Sequence, residues 1–302
     1  MRISELDKYR RTTVISSGEI SYVDVLARRD AGPGADREPA VLLVHGIGTN
    51  AHVWRNLIGL IAGQRRCIAP DLPLHGQTPA GPGQDVTRAG LASLLAEFCA
   101  AAGLAEIDLV GNDTGGAIAQ VFAARQPDRL RTLSLTNCDT HDNIPPAAFR
   151  PTIELAAAGA ISAGAPALLA DLEQTRKLIF GSGYQDPGRV GLDVVRSFLE
   201  PLLGTPERAR EFERFLLSLH AADLLAAEPA LARLTVPTLV AWGTADVFFE
   251  LSWAYWLQRT IPGVTEVAEI DGGMLFFPDE RAAELAPLLL RHWRAHSGGP
   301  SQ

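Results

Sequence analysis

An apolar stretch that runs into a glycine-flanked aspartate constrains the fold of this chain more than any other feature. Segment 109–116 reads Leu-Val-Gly-Asn-Asp-Thr-Gly-Gly, an apolar strand followed by the pattern G-x-D-x-G-G and then by an Ala-rich segment. Glycines permit the close approaches that a sharp strand-to-helix turn requires. The pattern therefore predicts a turn that presents Asp113 at the end of a strand. Asp113 also suits the simpler role of a helix N-cap, because aspartate accepts backbone N–H bonds at helix starts.

Strand and helix patterns alternate on both sides of this turn. Continuous apolar runs predict buried parallel strands, and amphipathic spacing predicts the helices between them. This alternation indicates an α/β fold with a mostly parallel, doubly wound sheet. The predicted strands cover 12–27, 40–44, 66–71, 106–110, 131–137, 237–242 and 264–270. The predicted helices cover 85–103, 115–125 and 280–293, and a loop rich in Gly, Pro and Asp is predicted at 30–38.

The segment 142–234 differs from the rest of the chain. It is rich in Ala and Leu, its helical patterns are broken by prolines, and it contains no convincing strand. Because prolines end helices, we predict four or five short helices here. Inserted before the last two strands, they would form a lid over the carboxyl edge of the sheet. The expected division is a core of 1–141 and 235–302 and a lid (cap) domain of 142–234.

Composition limits the partners that we expect. The 302-residue chain has a net charge of -8 and no basic stripe, so nucleic acid is not an expected partner. The N-terminus lacks the apolar core of a secretion signal, and the uncharged run 155–170 is shorter than the roughly 20 residues of a membrane span. The three widely spaced cysteines predict buried, reduced thiols. We expect a cytoplasmic monomer or homodimer that binds a small molecule, away from membranes and without cofactor or metal.

Five short segments, each at a predicted strand end, carry a family resemblance. They are H-G-I-G at 45–48, D-L-P-L-H-G at 71–76, the G-x-D-x-G-G turn at 111–116, G-T-A-D at 243–246 and D-G-G-M at 271–274. In this order they resemble the α/β-hydrolase superfamily, most closely its aspartate-nucleophile branch of haloalkane dehalogenases and epoxide hydrolases. The resemblance covers nearly the whole chain and implies the α/β-hydrolase fold, with the turn at Asp113 as its nucleophile elbow.

The resemblance implies a role for several residues. Asp113 would be the nucleophile that attacks an electrophilic carbon and forms an ester. The backbone N–H groups of Ile47 and Thr114 would form the oxyanion hole, and Asp246 would be the acid that orients a histidine. Dehalogenases of this branch usually carry asparagine and tryptophan at the positions of Ile47 and Thr114. Halide release is therefore poorly supported.

Met274 occupies the position at which this family supplies its histidine base. A thioether does not accept a proton from water, so the two-step hydrolysis lacks its usual activating group. Asp113 and Asp246 can instead form a pair of carboxyls, one of which is protonated because burial and like charge raise its pKa. Such a pair suits acid-base chemistry as well as hydrolysis. An engineered replacement of a histidine by Met274 is also left open.

Other residues near these loops complete the candidate site. His141, just past the predicted strand 131–137, is the possible substitute base, whereas His45 and His75 are expected to be structural turn residues. Aromatic side chains close in sequence to the catalytic loops are candidates for lining an apolar pocket. The pocket candidates are Trp54, Phe248, Phe276 and Phe277.

Three functions remain open at this stage. The leading expectation is a hydrolase of epoxide hydrolase/dehalogenase type that acts on an apolar, uncharged substrate. The second is a non-hydrolytic acid-base catalyst (an isomerase, lyase or cyclase) that uses the Asp113/Asp246 pair. The third is a ligand-binding pseudoenzyme. Asp113 distinguishes them, because it becomes alkylated in the first, exchanges protons in the second and is dispensable in the third.

Overall fold

The computed structural model describes residues 1–27, 38–81 and 83–297. Apart from Glu38, the predicted loop 30–38 lies outside the described residues. The strands within the described part form one sheet, in the order β1-β2-β4-β3-β5-β6-β7-β8. Their bounds are β1 Arg10–Ile15, β2 Gly18–Val25, β3 Ala40–Val44, β4 Cys67–Pro70, β5 Ile107–Asp113, β6 Leu130–Cys138, β7 Thr238–Gly243 and β8 Val264–Ile270.

The sheet is mostly parallel. β1 pairs with β2 and β2 with β4 in antiparallel fashion, and all other neighbouring strands are parallel. Every residue of the central strands β3, β5 and β7 is buried. Because side chains alternate between the two faces of a strand, complete burial means that both faces are covered. The predicted α/β fold class is confirmed.

Helices and short helical turns occupy most of the remaining described chain. Those outside the 142–234 segment are α1 Ile3–Leu6, α2 Arg55–Ile61, α3 Arg88–Ala101, α4 Thr114–Arg125, α11 Leu251–Thr260, α12 Phe277–Glu280 and α13 Ala282–Ala295. Between β6 and β7 the helices are α5 Arg150–Ala157, α6 Ala160–Ala170, α7 Leu172–Phe180, α8 Leu192–Leu203, α9 Pro206–Leu217 and α10 Ala222–Leu231.

Two sequence predictions are corrected by local hydrogen bonding. The stretch 12–27 is a two-stranded hairpin, because Gly18 at φ 131° reverses the chain between β1 and β2. The helix predicted to start at Asp85 begins three residues later. The Thr87 hydroxyl accepts the N–H of Gly90 at 3.0 Å, which makes Thr87 the N-cap. Asp85 instead accepts the N–H of Thr87 at 2.9 Å and supports that cap from outside the helix.

Hydrogen bonds join helices α5–α10 and their connections to the rest of the chain. Gly183 accepts the N–H of Phe276 at 2.9 Å, and Tyr184 donates its hydroxyl to Asp279 at 3.0 Å. Asn50 donates to the backbone oxygen of Ser197 in α8 at 2.7 Å. The loop after β8 is therefore fixed to the inserted helices at a buried position.

Two further sequence predictions concern apolar segments and thiols. In the described ranges no single helix has the length and apolar character to cross a membrane. The stretches 147–157 and 160–170 reach that length and composition only when counted together, and they are bent by 101° relative to each other. Cys67, Cys99 and Cys138 are all buried and unpaired, as their spacing predicts.

Candidate active site

The turn at Asp113 is strained and is held in place by glycines. Asp113 ends β5, Thr114 begins α4, and Asp113 adopts φ 56° and ψ −134°, a region that side-chain-bearing residues rarely occupy. A Cβ atom at Gly115 would collide with the backbone oxygens of Val44 and His45. The close contact between α4 and the end of β3 therefore requires glycine and keeps the elbow in its conformation.

The Asp113 carboxyl lies on the backbone of the loop after β3. The Ile47 N–H donates to Oδ2 of Asp113 at 2.9 Å, and the backbone N–H of the adjacent Thr114 also opposes the rise in the pKa of this carboxyl. A Cβ atom at Gly46 would overlap the Asp113 side chain, so the loop approaches this closely only with glycine. The Ile47 amide thus stabilises a negative charge on Asp113. No side chain of the described residues donates a hydrogen bond to Asp113.

Two neutral histidines hold the loop after β3. His45 accepts the Leu72 N–H at Nε2 (2.9 Å), and its Nδ1 donates to the Gly46 oxygen at 2.8 Å. His75 accepts the Gly48 N–H at Nε2, at 3.3 Å. Burial lowers the pKa of His45 to about 4 and that of His75 to about 3. Both rings are unprotonated at neutral pH, and their acceptor nitrogens are occupied by backbone donors.

Asp246 follows β7 and is surrounded by fixed donors. Asn137 donates to Oδ2 of Asp246 at 2.5 Å, and the N–H groups of Phe248 and Phe249 donate to Oδ1 at 2.7 and 3.3 Å. Burial raises the pKa of Asp246 to about 6, although these donors oppose the rise. Both carboxyl oxygens are therefore engaged by the protein itself.

A second buried carboxyl, Asp139, lies beside Asp113. β5 and β6 run in parallel, with Asp113 opposite Cys138, so Asp139 leaves the sheet next to the elbow. Its Oδ2 accepts the Thr114 hydroxyl at 2.9 Å, and only 2% of the residue is exposed. Burial raises the pKa of Asp139 to about 7, while Thr114 and the charge of Arg88 oppose the rise. Asp139 is not among the site residues predicted from the sequence. Its place just after a parallel strand could have identified it, because the carboxyl ends of neighbouring parallel strands lie together at one edge of the sheet.

The carboxyls of Asp113 and Asp139 are coupled through their charges. Burial raises the pKa of Asp113 well above its ordinary value, and the negative charges of Asp139 and then Asp246 add to the rise. Two carboxyls that repel each other in a low-dielectric site bind one proton between them over a wide pH range. Asp139 is a stronger electrostatic neighbour of Asp113 than Asp246, the partner considered from sequence.

The loop that carries Met274 lies against the elbow. The Leu275 oxygen accepts the side-chain N–H of Asn112 at 3.1 Å, next to Asp113 in sequence. Gly273 accepts the N–H of Ala245 at 2.9 Å, which joins this loop to the one after β7. Met274 is therefore close to the residues preceding Asp113 and Asp246, and its side chain is half-buried.

His141 makes its contacts elsewhere. Its Nδ1 pairs with the Glu228 carboxylate in α10, and its ring stacks on Trp256 with centroids 4.9 Å apart. Its backbone φ is 55°, so its position is fixed by a turn as well as by these contacts. The described hydrogen bonds do not join His141, or any other histidine of the described residues, to Asp113.

Most of the aromatic pocket candidates are packed in the interior. Trp54 and Phe277 are fully buried, and Phe276 packs its ring against Tyr184 with centroids 4.9 Å apart. Phe248 is half-buried and meets a second phenylalanine edge-on at 6.3 Å. Phe276, which packs against a segment between β6 and β7, makes the surroundings of the Met274 loop apolar. In the described part of the chain, His, Cys, Asp and Glu form no group that could hold a metal ion.

The sheet order and the strained elbow define a protein of the α/β-hydrolase class. A family model described as the alpha/beta hydrolase fold matches residues 39–280, and the chain belongs to this family. Haloalkane dehalogenase 2 of Mycobacterium tuberculosis is 28% identical over 250 residues, covering 78% of this chain and 77% of that protein.

Solved structures of two enzymes share this fold. The haloalkane dehalogenase DbeA of Bradyrhizobium elkani superposes with a TM-score of 0.76 at 21% identity, covering 95% of this chain and 98% of the other. The epoxide hydrolase CorEH superposes with a TM-score of 0.74 at 19% identity, covering 95% and 98%. At these identities the structural similarity establishes the fold alone.

Proposed function

We propose that this protein is a hydrolase that opens an uncharged, electrophilic small molecule through a covalent ester on Asp113. One observation carries the proposal: the elbow carboxyl accepts the Ile47 N–H through Oδ2 at 2.9 Å. The relationship to a haloalkane dehalogenase and the fold shared with an epoxide hydrolase support this reaction class.

The geometry suits ester formation followed by ester hydrolysis. When Oδ1 of Asp113 attacks a carbon, Oδ2 becomes the ester carbonyl oxygen and keeps its amide donor, Ile47. When water then attacks the ester carbon, negative charge develops on the same Oδ2. A positioned donor at such an oxygen contributes roughly 3 kcal/mol to stabilisation of the transition state. The Ile47 amide therefore acts in the second step without moving.

An epoxide fits this site better than an alkyl halide. Ile47 has no side-chain donor for a departing halide, and the Thr114 hydroxyl is already directed to Asp139. Ring opening of an epoxide leaves an alkoxide that needs a proton, and the buried carboxyls beside Asp113 can supply one at neutral pH. We therefore assign the substrate to the epoxide class, with an apolar carbon skeleton.

A non-hydrolytic acid-base catalyst is the second candidate. The observation in its favour is the set of buried carboxyls whose pKa values lie near neutrality, about 7 for Asp139 and about 6 for Asp246. Such groups can exchange protons with a bound substrate without any covalent bond. The two candidates differ in whether Asp113 becomes alkylated.

Intact-mass measurement tests the proposed function. The protein is incubated with styrene oxide, cyclohexene oxide and matched alkyl bromides, and both protein mass and diol formation are followed. We expect diol from the epoxides, a transient adduct on the peptide that contains Asp113, and neither in Asp113→Asn. Asp142→Asn is the matched control, because its side chain is 64% exposed. Rearranged product without any adduct would favour the acid-base catalyst.

A further inference from the structure

We propose that Asp139 is the proton-transferring residue of this site, acting first as an acid and then as a base. It donates a proton to the opened epoxide oxygen and then takes one from the water that cleaves the ester. This inference rests on the proposed function of Asp113. It gives Asp139 the role of the histidine base, which Met274 cannot perform.

The position of Asp139 is the first argument. It follows the strand next to β5, where Asp113 lies opposite Cys138, the residue before Asp139. Thr114, the residue after Asp113, donates its hydroxyl to Oδ2 of Asp139 at 2.9 Å. No hydrogen bond from the described residues reaches Oδ1 of Asp139. One oxygen of Asp139 is thus fixed by Thr114, and the other has no hydrogen-bond partner among the described residues.

The second argument is that the other candidates for proton transfer, Asp246 and His141, already have protein partners. Asp246 has both oxygens occupied, by Asn137 and by two backbone amides. His141 is paired with Glu228. The charge of Asp139 raises the pKa of Asp113 more than that of Asp246 does, and one oxygen of Asp139 has no partner within the described ranges.

The charges around Asp139 are the third argument. Asp113 faces it from β5, and Arg88 faces it from α3. Arg88 is 1% exposed, donates to Ser218 at 3.0 Å, and leaves Nε and Nη1 without partners among the described residues. Burial favours the protonated acid of Asp139, whereas the hydrogen bond from the Thr114 hydroxyl and the charge of Arg88 favour its carboxylate. The negative charge of Asp139 in turn raises the pKa of Asp113. The resulting pKa of about 7 for Asp139 populates both forms at neutral pH.

The proton balance closes over one turnover. Asp113 and Asp139 hold one proton between them, and its transfer from Asp113 to Asp139 gives the reactive form, in which Asp113 is ionised and Asp139 protonated. Oδ1 of Asp113 attacks the epoxide carbon, the ring C–O bond breaks, and the ring oxygen takes the proton of Asp139. Water then gives one proton to the Asp139 carboxylate and attacks the ester carbon of Asp113. The tetrahedral intermediate expels the diol oxygen, which takes the remaining proton of the attacking water, and the starting protonation returns.

Asp139→Asn tests this assignment, because asparagine keeps the size and the Thr114 contact but transfers no proton. We use styrene oxide in a single-turnover experiment, with protein mass and diol followed in parallel and Asp142→Asn as control. We expect wild type and Asp142→Asn to form diol. In Asp139→Asn, diol formation should fall at least ~100-fold and an ester on Asp113 should accumulate. Thermal unfolding checks that the variant is folded.

The other outcomes separate this inference from the proposed function. Unchanged diol formation in Asp139→Asn overturns the role of Asp139 and leaves Asp113 as nucleophile. An ester that accumulates equally in wild type and variant also overturns it, because wild type then lacks a working base. Absence of both adduct and diol in every protein overturns the proposed function together with this inference. In wild type, heavy-oxygen water should place its label in the Asp113 carboxyl after one turnover.

Discussion

The Thr114 hydroxyl donates to Oδ2 of Asp139 at 2.9 Å, while the backbone N–H of the same residue opposes the rise in the pKa of Asp113. One residue at the start of α4 thus acts on both acids of the site. Its two contributions are separable, because a substitution removes the hydroxyl and keeps the amide.

Thr114→Val should shift the pH dependence of ester hydrolysis. The hydroxyl lowers the pKa of Asp139, so its loss should raise that pKa, and the base should become effective at higher pH. We expect the midpoint of the hydrolysis rate to rise by roughly one pH unit. Ester formation should change less. Thr114→Ser keeps the hydroxyl and should show the smaller shift; equal shifts in both variants would contradict this assignment.

Gly46→Ala should impair both chemical steps. The new Cβ would occupy the space of the Asp113 side chain, so the loop or the carboxyl must move. Loss of the Ile47 donor should slow ester formation and hydrolysis by ~100-fold, measured as single-turnover rates. Gly48→Ala is a comparison in the same loop, where an added Cβ meets no atom within 4 Å but φ is 70°. An unimpaired Gly46→Ala would mean that the Ile47 contact is dispensable.

Asp139→Asn should stabilise the protein above neutral pH. The native pKa of about 7 exceeds the ordinary value of 3.8, so the folded state binds more protons than the unfolded state between these values. Stability contributed by Asp139 is therefore present at low pH and lost as pH rises towards 7. The variant should gain roughly 1–4 kcal/mol in free energy of unfolding at pH 8 and little at pH 4. Urea denaturation at both pH values measures this, and a gain that is larger at pH 4 would refute it.

Met274→His should restore hydrolysis in the Asp139→Asn background. The Met274 loop is held beside the elbow by the contact between Leu275 and Asn112, so an imidazole there can approach the ester on Asp113. We expect the trapped ester to decay at least ~10-fold faster in the double variant. Met274→Gln is the control of similar size without a titratable nitrogen. Equal decay in both double variants would show that position 274 does not reach the ester.

The fold was largely predictable because its signals are local. A fully buried strand such as β3 or β7 appears in the sequence as a continuous apolar run, and the elbow glycines follow from steric requirements at Asp113. The hairpin at Gly18 and the cap at Thr87 were missed, since both depend on local hydrogen bonds within polar segments. Helix boundaries depend on such contacts more than on hydrophobic spacing.

The site was only partly predictable because its electrostatics depend on strand pairing. Asp113 and its position followed from the motif, but the nearness of Asp139 depends on the register between β5 and β6. The family pattern predicts Asp246 as the second acid, but its carboxyl oxygens accept hydrogen bonds from Asn137 and from backbone amides. Residues that become neighbours through the pairing register of two strands have no characteristic separation in the sequence, so a single sequence does not reveal them.

The two neutral histidines behind the loop after β3 have a consequence for acid tolerance. On folding near pH 5, His45 and His75 release protons, whereas Asp113, Asp139 and Asp246 take protons up. The two releases offset only part of the three uptakes, so the folded site binds more protons than the unfolded chain does. The site therefore gains stability when the pH falls from neutrality towards 5.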